Sequence, residues 1–296
     1  MPIFNNILAG SSGQSTGYDI EQSLRFDDGD SAKLTRTPGS AGSLKTWTIS
    51  AWVKRGNLSD GVVISAGNYS EIKFSSDTLY VQVGPTNSTA YAIQTSAVYR
   101  DPSAWYHIVV HADTTQASAS NRLKLYVNGE EVTAFSTDQR SSISQDVALT
   151  FTGAYEHRIG DDESSAYFDG YIAEVNFIDG QALTPASFGE TNSATNQWVP
   201  IEVTGMTYGT NGFYQKYSAT ELANSFTDSS RDLAGATFPL TADYLIVAGG
   251  GGGASSSSTS LVDSGGGGAG GYRYFTSQSI AKGSYSITVG NGGAQQ

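Results

Sequence analysis

At 296 residues the chain holds one large domain with an appendage, or two domains, on a prior of roughly 150 residues per domain. Its 28 Asp and Glu against 16 Lys and Arg leave a net charge of −12, which argues against the clustered cations that nucleic acid needs in a partner. Charged residues make up 15% of the chain where about 25% is ordinary, and the absence of cysteine excludes a disulfide framework, a thiolate zinc site and a cysteine nucleophile.

The first residues, MPIFNNILAGSSGQSTG, have no basic stretch leading into an apolar run, so no secretory signal is expected. Within them Gly13 to Gly17 fit G-x-S-x-G but lack the strand and helix that a nucleophile elbow requires. From residue 47 to 54 the pattern alternates: Trp47, Ile49, Ala51 and Val53 share one face, while Thr48, Ser50, Trp52 and Lys54 share the other, which predicts a half-buried strand. Further strands are expected at 62–65, 71–74, 78–83, 91–95, 105–112, 148–152 and 166–177. Leu123, Leu125 and Val127 lead into Asn128-Gly129, a pair that tolerates positive φ at both positions and predicts a tight hairpin. Thr184-Pro185 can open one turn of helix over 183–188. Many short strands separated by turns, with 17 Tyr and 12 Phe, make the fold class all-β, an antiparallel sandwich of the jelly-roll type.

More than half of the 35 glycines fall after residue 200, which marks a change of organisation. Four zones follow: a segment 1–19, a jelly roll 20–200, a connector 201–243 and a glycine-rich domain beginning at 244. The longest apolar run in that last part, 244–248, is too short to cross a membrane, so no membrane insertion is expected. The same strand runs into Gly249, Gly251 and Ala254, a formal G-x-G-x-x-A, but SSSSTS follows where a dinucleotide loop needs a helix N-terminus. The glycine runs, Gly249, Gly250, Gly251, Gly252, Gly253 and Gly265, Gly266, Gly267, Gly268, suit close-packed extended segments that bond to neighbouring backbones.

Residues with chemistry are few. His107 and His111 share a strand face but stand roughly 13 Å apart, too far for one metal ion, so they and His157 are read as packing residues. Two acidic runs, Asp27, Asp28 and Asp30, then Asp161, Asp162 and Glu163, offer the hard oxygens Ca²⁺ prefers, without EF-hand spacing. Trp52, Tyr69, Tyr91 and Tyr99 are of the type that stacks on sugar rings, with core packing the plainer role for Trp52. The N-x-[ST] matches at Asn57, Asn68 and Asn87 matter only in a secretory pathway. No catalytic, cofactor-binding or metal-binding residue is assigned, and the chain is expected to be neither an enzyme nor a cofactor carrier.

Four pieces in order, SLRFDDGDSAKL from Ser23, TISAWV from Thr48, WYH from Trp105 with LKLYVNGEEV from Leu123, and RIGDDESSAYFDGYIAEVNFIDGQAL from Arg158, resemble laminin-G-like, concanavalin-A-type jelly rolls over about 20–190. The flanks, MPIFNNILAGSSG, YGTNGFY, YLIVAGGGGGA and GGGGAGGYR, resemble bacteriophage tail or head fibre proteins with glycine-rich adhesin tips. This resemblance implies a structural virion protein, assembled in the host cytoplasm as a homotrimer that contacts other virion proteins and adheres to a host-surface glycan. Ile3, Phe4, Ile7 and Leu8 would anchor it, as apolar residues of a segment too polar to fold before docking. Two alternatives remain open, a free carbohydrate-binding lectin-like module and a non-catalytic appendage of a glycan-degrading enzyme.

Overall fold

The computed structural model describes residues 17–67, 70–85, 90–162, 166–217, 240–247 and 272–280. In chain order its strands are β1 (Leu24–Phe26), β2 (Leu34–Arg36), β3 (Thr46–Arg55), β4 (Gly61–Ala66), β5 (Ser70–Ser75), β6 (Thr78–Val83), β7 (Tyr91–Thr95), β8 (Tyr106–Asp113) and β9 (Leu123–Val127). They continue with β10 (Glu130–Glu131), β11 (Phe135–Asp138), β12 (His157–Ile159), β13 (Gly170–Asp179), β14 (Gly189–Thr191), β15 (Trp198–Pro200), β16 (Phe213–Gln215), β17 (Leu240–Val247) and β18 (Tyr272–Ile280).

The strands form two seven-stranded antiparallel sheets among the described residues. One runs β1-β13-β3-β8-β9-β10 with β16 beside β13, and the other runs β11-β7-β6-β5-β4-β12-β2. Their facing sides bury Trp47, Ile49, Phe74, Phe151, Phe168 and Phe177, among others, in one continuous core. The jelly-roll sandwich expected from the alternating patterns is therefore present, and Asn128 and Gly129 turn between β9 and β10 with φ of 49° and 86°.

Three sequence expectations need correction. β3 is buried on both faces: Thr48, Ser50 and Trp52 are at most 8% exposed, because the segment after β13 folds back over the outside of this sheet. There Phe188 and Val203 pack on Val109, Tyr126 and Ile178 as a second, smaller core. Residues 148–152 are not a strand. Thr150–Thr152 is a 3₁₀ turn whose Leu149 and Phe151 side chains both enter the core, so the alternation there reflects plugging rather than pleating. The strand expected at 166–177 begins later, at Gly170. The stretch before it bonds outside the ladder, through Phe168 N–H to Gly160 C=O and Gly56 N–H to Asp169 C=O.

Among the described residues helix is limited to single turns, such as Pro185–Ser187 behind Thr184, where Pro185 takes the first position as expected but the Thr184 side chain makes no capping bond. Residues 201–217, within the expected connector, add β16 to the first sheet and send Phe213 and Tyr217 into the main core. Asp179 ties this return in place. Its Oδ1 accepts from Ser43 N–H and its Oδ2 from Asn211 N–H, while the Asn211 side chain donates to the carbonyls of Ser40 and Thr152. At the other edge Glu174, in a β-bulge with φ of 49°, accepts the hydroxyls of Tyr18 and Tyr214 and so holds the first described residues to the sheet.

A separate unit contains β17 and β18, an antiparallel pair in register from Leu240 opposite Ile280 to Val247 opposite Tyr272. A dinucleotide unit would pair its first strand in parallel, so this pairing agrees with setting the glycine motif aside. The anchoring residues Ile3, Phe4, Ile7 and Leu8, and the glycine runs 249–253 and 265–268, lie outside the described residues.

Phe213 is 1% exposed and packs edge-on against Phe177 at 5.5 Å. Phe213→Ala is expected to cost about 3–5 kcal/mol of unfolding free energy in a urea titration, as a buried aromatic truncation does. A loss below about 1 kcal/mol would show that residues 201–217 are not integral to the sandwich.

Candidate functional site

Three of the chain's four tryptophans meet on the outer face of the first sheet; the fourth, Trp47, is in the core. The arrangement starts at His107. It stands opposite Trp52 in the β3–β8 ladder, on the face away from the main core. Its ring stacks on Trp52 at 4.7 Å and 25°, and on Trp198 of β15 at 5.9 Å and 20°.

The hydrogen bonds fix its chemistry. The Trp198 indole N–H, which can only donate, reaches His107 Nδ1 at 2.9 Å, so Nδ1 carries a lone pair and the proton sits on Nε2. From there it is donated to Ser50 Oγ at 2.9 Å. The ring is fully buried, and desolvation of its charged form pushes its pKa down to about 3.

Glycine permits this seating. Trp198 lies against the backbones of Gly129 and Gly189, and a Cβ on Gly189 would stand 2.6 Å from the indole. The hairpin is locked to the same place by Asn128, whose Oδ1 accepts from His107 N–H at 2.8 Å while its own N–H donates to His107 C=O.

A groove of about 680 Å³ opens over this assembly. Its floor is Trp52, with Trp105 and Trp198 as walls and Asn128, Asn196 and Gln197 as amides; Glu130 is its carboxylate. Trp105, just before β8, is 37% exposed. A second cavity of about 270 Å³ shares Trp52 and Trp105 with the groove and is otherwise bounded by Ile20, Glu21, Gln22 and Pro200. Flat apolar rings flanked by amides and a carboxylate can stack on the apolar face of a sugar ring and bond to its hydroxyls.

Of the aromatics singled out by sequence, only Trp52 lines this groove. Tyr99 is 9% exposed in the main core, Tyr91 packs against that core, and Tyr69 lies outside the described residues. Trp105 and Trp198 were not singled out as site residues; the available signal was a tryptophan at the end of a polar stretch, SAW leading into β8 and NQW opening β15.

The other two histidines are also internal. His111 Nδ1 bonds to Leu183 C=O at 2.7 Å and His157 Nε2 to Phe151 C=O at 2.6 Å; burial lowers both pKa values, that of His157 to about 4. The acidic runs divide. Asp161 is buried and paired with Lys33 at 3.1 Å. Asp27 and Asp28 instead meet Asp169, with oxygens within 4.8 Å of one another, but Arg25 already bonds Asp169 at 2.9 Å.

A family model described as the concanavalin A-like lectin/glucanases superfamily matches residues 26–187, and one described as a glycine-rich domain matches 233–296. No curated protein matches the chain. Among solved structures it is similar to a native heptameric SAP-like pentraxin from Limulus polyphemus, at 14% identity over 67% of this chain and 91% of that one, with a TM-score of 0.40. It is also similar to the receptor binding domain of botulinum neurotoxin D, at 13% identity over 52% of this chain and 39% of that one, TM-score 0.37. A third is tailspike protein 2 of Escherichia coli O157:H7 bacteriophage CAB120, at 10% identity over 56% of this chain and 23% of that one, TM-score 0.36.

Acid should loosen the fold through these buried rings. Unfolded histidine takes up a proton near pH 6.5, whereas folded His107 stays neutral to about pH 3. Its contribution is thus complete above pH 6.5 and is lost as pH falls toward 3, at about 1.4 kcal/mol per pH unit. In urea titrations at falling pH, His107→Gln should show a stability slope shallower than wild type by about that amount. Equal slopes would mean the ring is not buried neutral.

Proposed function

The chain belongs to the concanavalin A-like lectin/glucanases superfamily, and from that premise we propose that its sandwich is a lectin-like, glycan-binding module whose binding site is the tryptophan groove. One observation carries this reading: Trp52 and Trp198 pack on a shared neutral histidine, while Trp105, 37% exposed, lines the same groove. Rings already fixed in place lose little conformational freedom when a ligand stacks on them. Fold membership alone would not distinguish binding from hydrolysis. The buried acids Asp161, Glu174 and Asp179 are engaged in internal bonds, and the binding reading rests on the indoles of the groove.

The test is Trp105→Ala against an array of glycans. Because the ring is partly exposed, the unfolding free energy should stay within about 0.5 kcal/mol of wild type, while glycan binding falls at least about tenfold. Undiminished binding would remove the groove from consideration.

A second reading concerns setting. The flanks that resemble phage fibre proteins, together with the glycine-rich family match over 233–296, favour a module displayed on a virion as a trimeric fibre subunit, where glycan binding would serve adhesion to the host. Sedimentation equilibrium of the full chain at micromolar concentration is expected to give three chains; a monomer at all concentrations would refute the trimer.

A further inference from the structure

The two parts of the groove share Trp52 and Trp105, and each carries one carboxylate: Glu130 on the wide side and Glu21 on the narrow side. Lys, Arg and His are absent from the residues lining both parts. The carboxylates are also uncommitted. The adjacent Glu131 is paired with Lys124 at 3.0 Å, whereas neither Glu130 nor Glu21 has an ion pair among the described residues, and both are exposed.

A neutral sugar could use these carboxylates only as acceptors for its hydroxyls, whereas a cationic sugar would also satisfy their charge. A sialic or uronic acid would be repelled by two carboxylates on a chain of net charge −12. We propose that the groove takes a glycan bearing free ammonium groups, an amino-sugar polymer that is not N-acetylated. This rests on the glycan-binding reading of the groove and names its substrate class. Each part of such a ligand finds its match. The apolar ring face lies on an indole, an ammonium over an indole face is drawn by the ring quadrupole, and a second ammonium meets Glu21 or Glu130. Amides from Asn128, Asn196 and Gln197 remain for the hydroxyls.

The experiment titrates the full chain with the β-1,4-linked glucosamine hexamer, its fully N-acetylated counterpart, oligogalacturonate and poly-L-lysine, at roughly 20 mM and roughly 300 mM salt. Expected is tightest binding to the free-amine hexamer, about tenfold over the acetylated one, weakening with salt. Glu130→Gln and Glu21→Gln should each cost about two- to fivefold for that ligand, as rim charge pairs do, and a smaller factor for the acetylated hexamer. Trp105→Ala should weaken both hexamers.

Equal affinity for the two hexamers, or tighter binding of oligogalacturonate, with Trp105 dependence retained, would overturn the amine class and leave the glycan reading standing. Absence of any Trp105-dependent glycan binding would overturn both. Poly-L-lysine bound as tightly as the amine hexamer, with the same dependence on Trp105, would make the ligand a basic peptide and overturn the proposal.

Discussion

The outer face of the first sheet is organised around an imidazole that must stay uncharged. Trp198 needs an acceptor for its N–H, Ser50 receives the ring's one proton, and the two flanking indoles exclude water. Protonating Nδ1 would set two donors against each other at 2.9 Å and bury a charge with no counter-ion. The neutral tautomer is thus the one state compatible with β15 lying on the sheet. The cross-strand pairing of His107 with Trp52 then places the floor of the groove in fixed relation to its wall.

From this follows the partition of the outer face. The segment after β13 can cover the sheet only where apolar residues meet it: Phe188 and Val203 settle on Val109, Tyr126 and Ile178, and the His111 ring is closed off by Leu183. Trp105 lies outside this second core and is 37% exposed among the described residues. What is a closed second core toward one end becomes an open aromatic groove toward the other. The glycines that flank Trp198 belong to this design, since any side chain at 129 or 189 would lift the indole off its histidine.

Much of the sandwich was legible because period-two patterning reports directly on a sheet that faces a core. Strands 78–83 and 91–95 stand where the pattern put them, and Asn128-Gly129 fixed the hairpin through its need for positive φ. Where the pattern failed, a third layer was responsible. Thr48 and Ser50 look like a solvent-facing row, yet both are buried, because their hydroxyls bond to Gln181 C=O and to His107 beneath the returning chain. Leu149 and Phe151 mimic a strand because a plug at the end of a sandwich must also present alternate residues to the interior. The groove was legible only at Trp52. Trp105 and Trp198 sit in polar stretches with no periodicity, and their meeting depends on residue 198 returning over residue 107, a closure that no local window contains.

The location of the groove has a steric cause. Between the sheets, Phe26, Trp47, Phe74, Phe151 and Phe168 fill the interior and are at most 2% exposed, so no ligand can enter there without displacing aromatic packing. Open space on the sandwich therefore lies outside its core, and on the first sheet the covering segment decides which part of the outer surface is free. A change in the length of chain between β14 and β15 would move Trp198 and reshape the site without touching the core. A single sandwich can in this way carry unlike binding sites in different members of its superfamily, because the indoles and carboxylates of the outer face vary independently of the core that supports them.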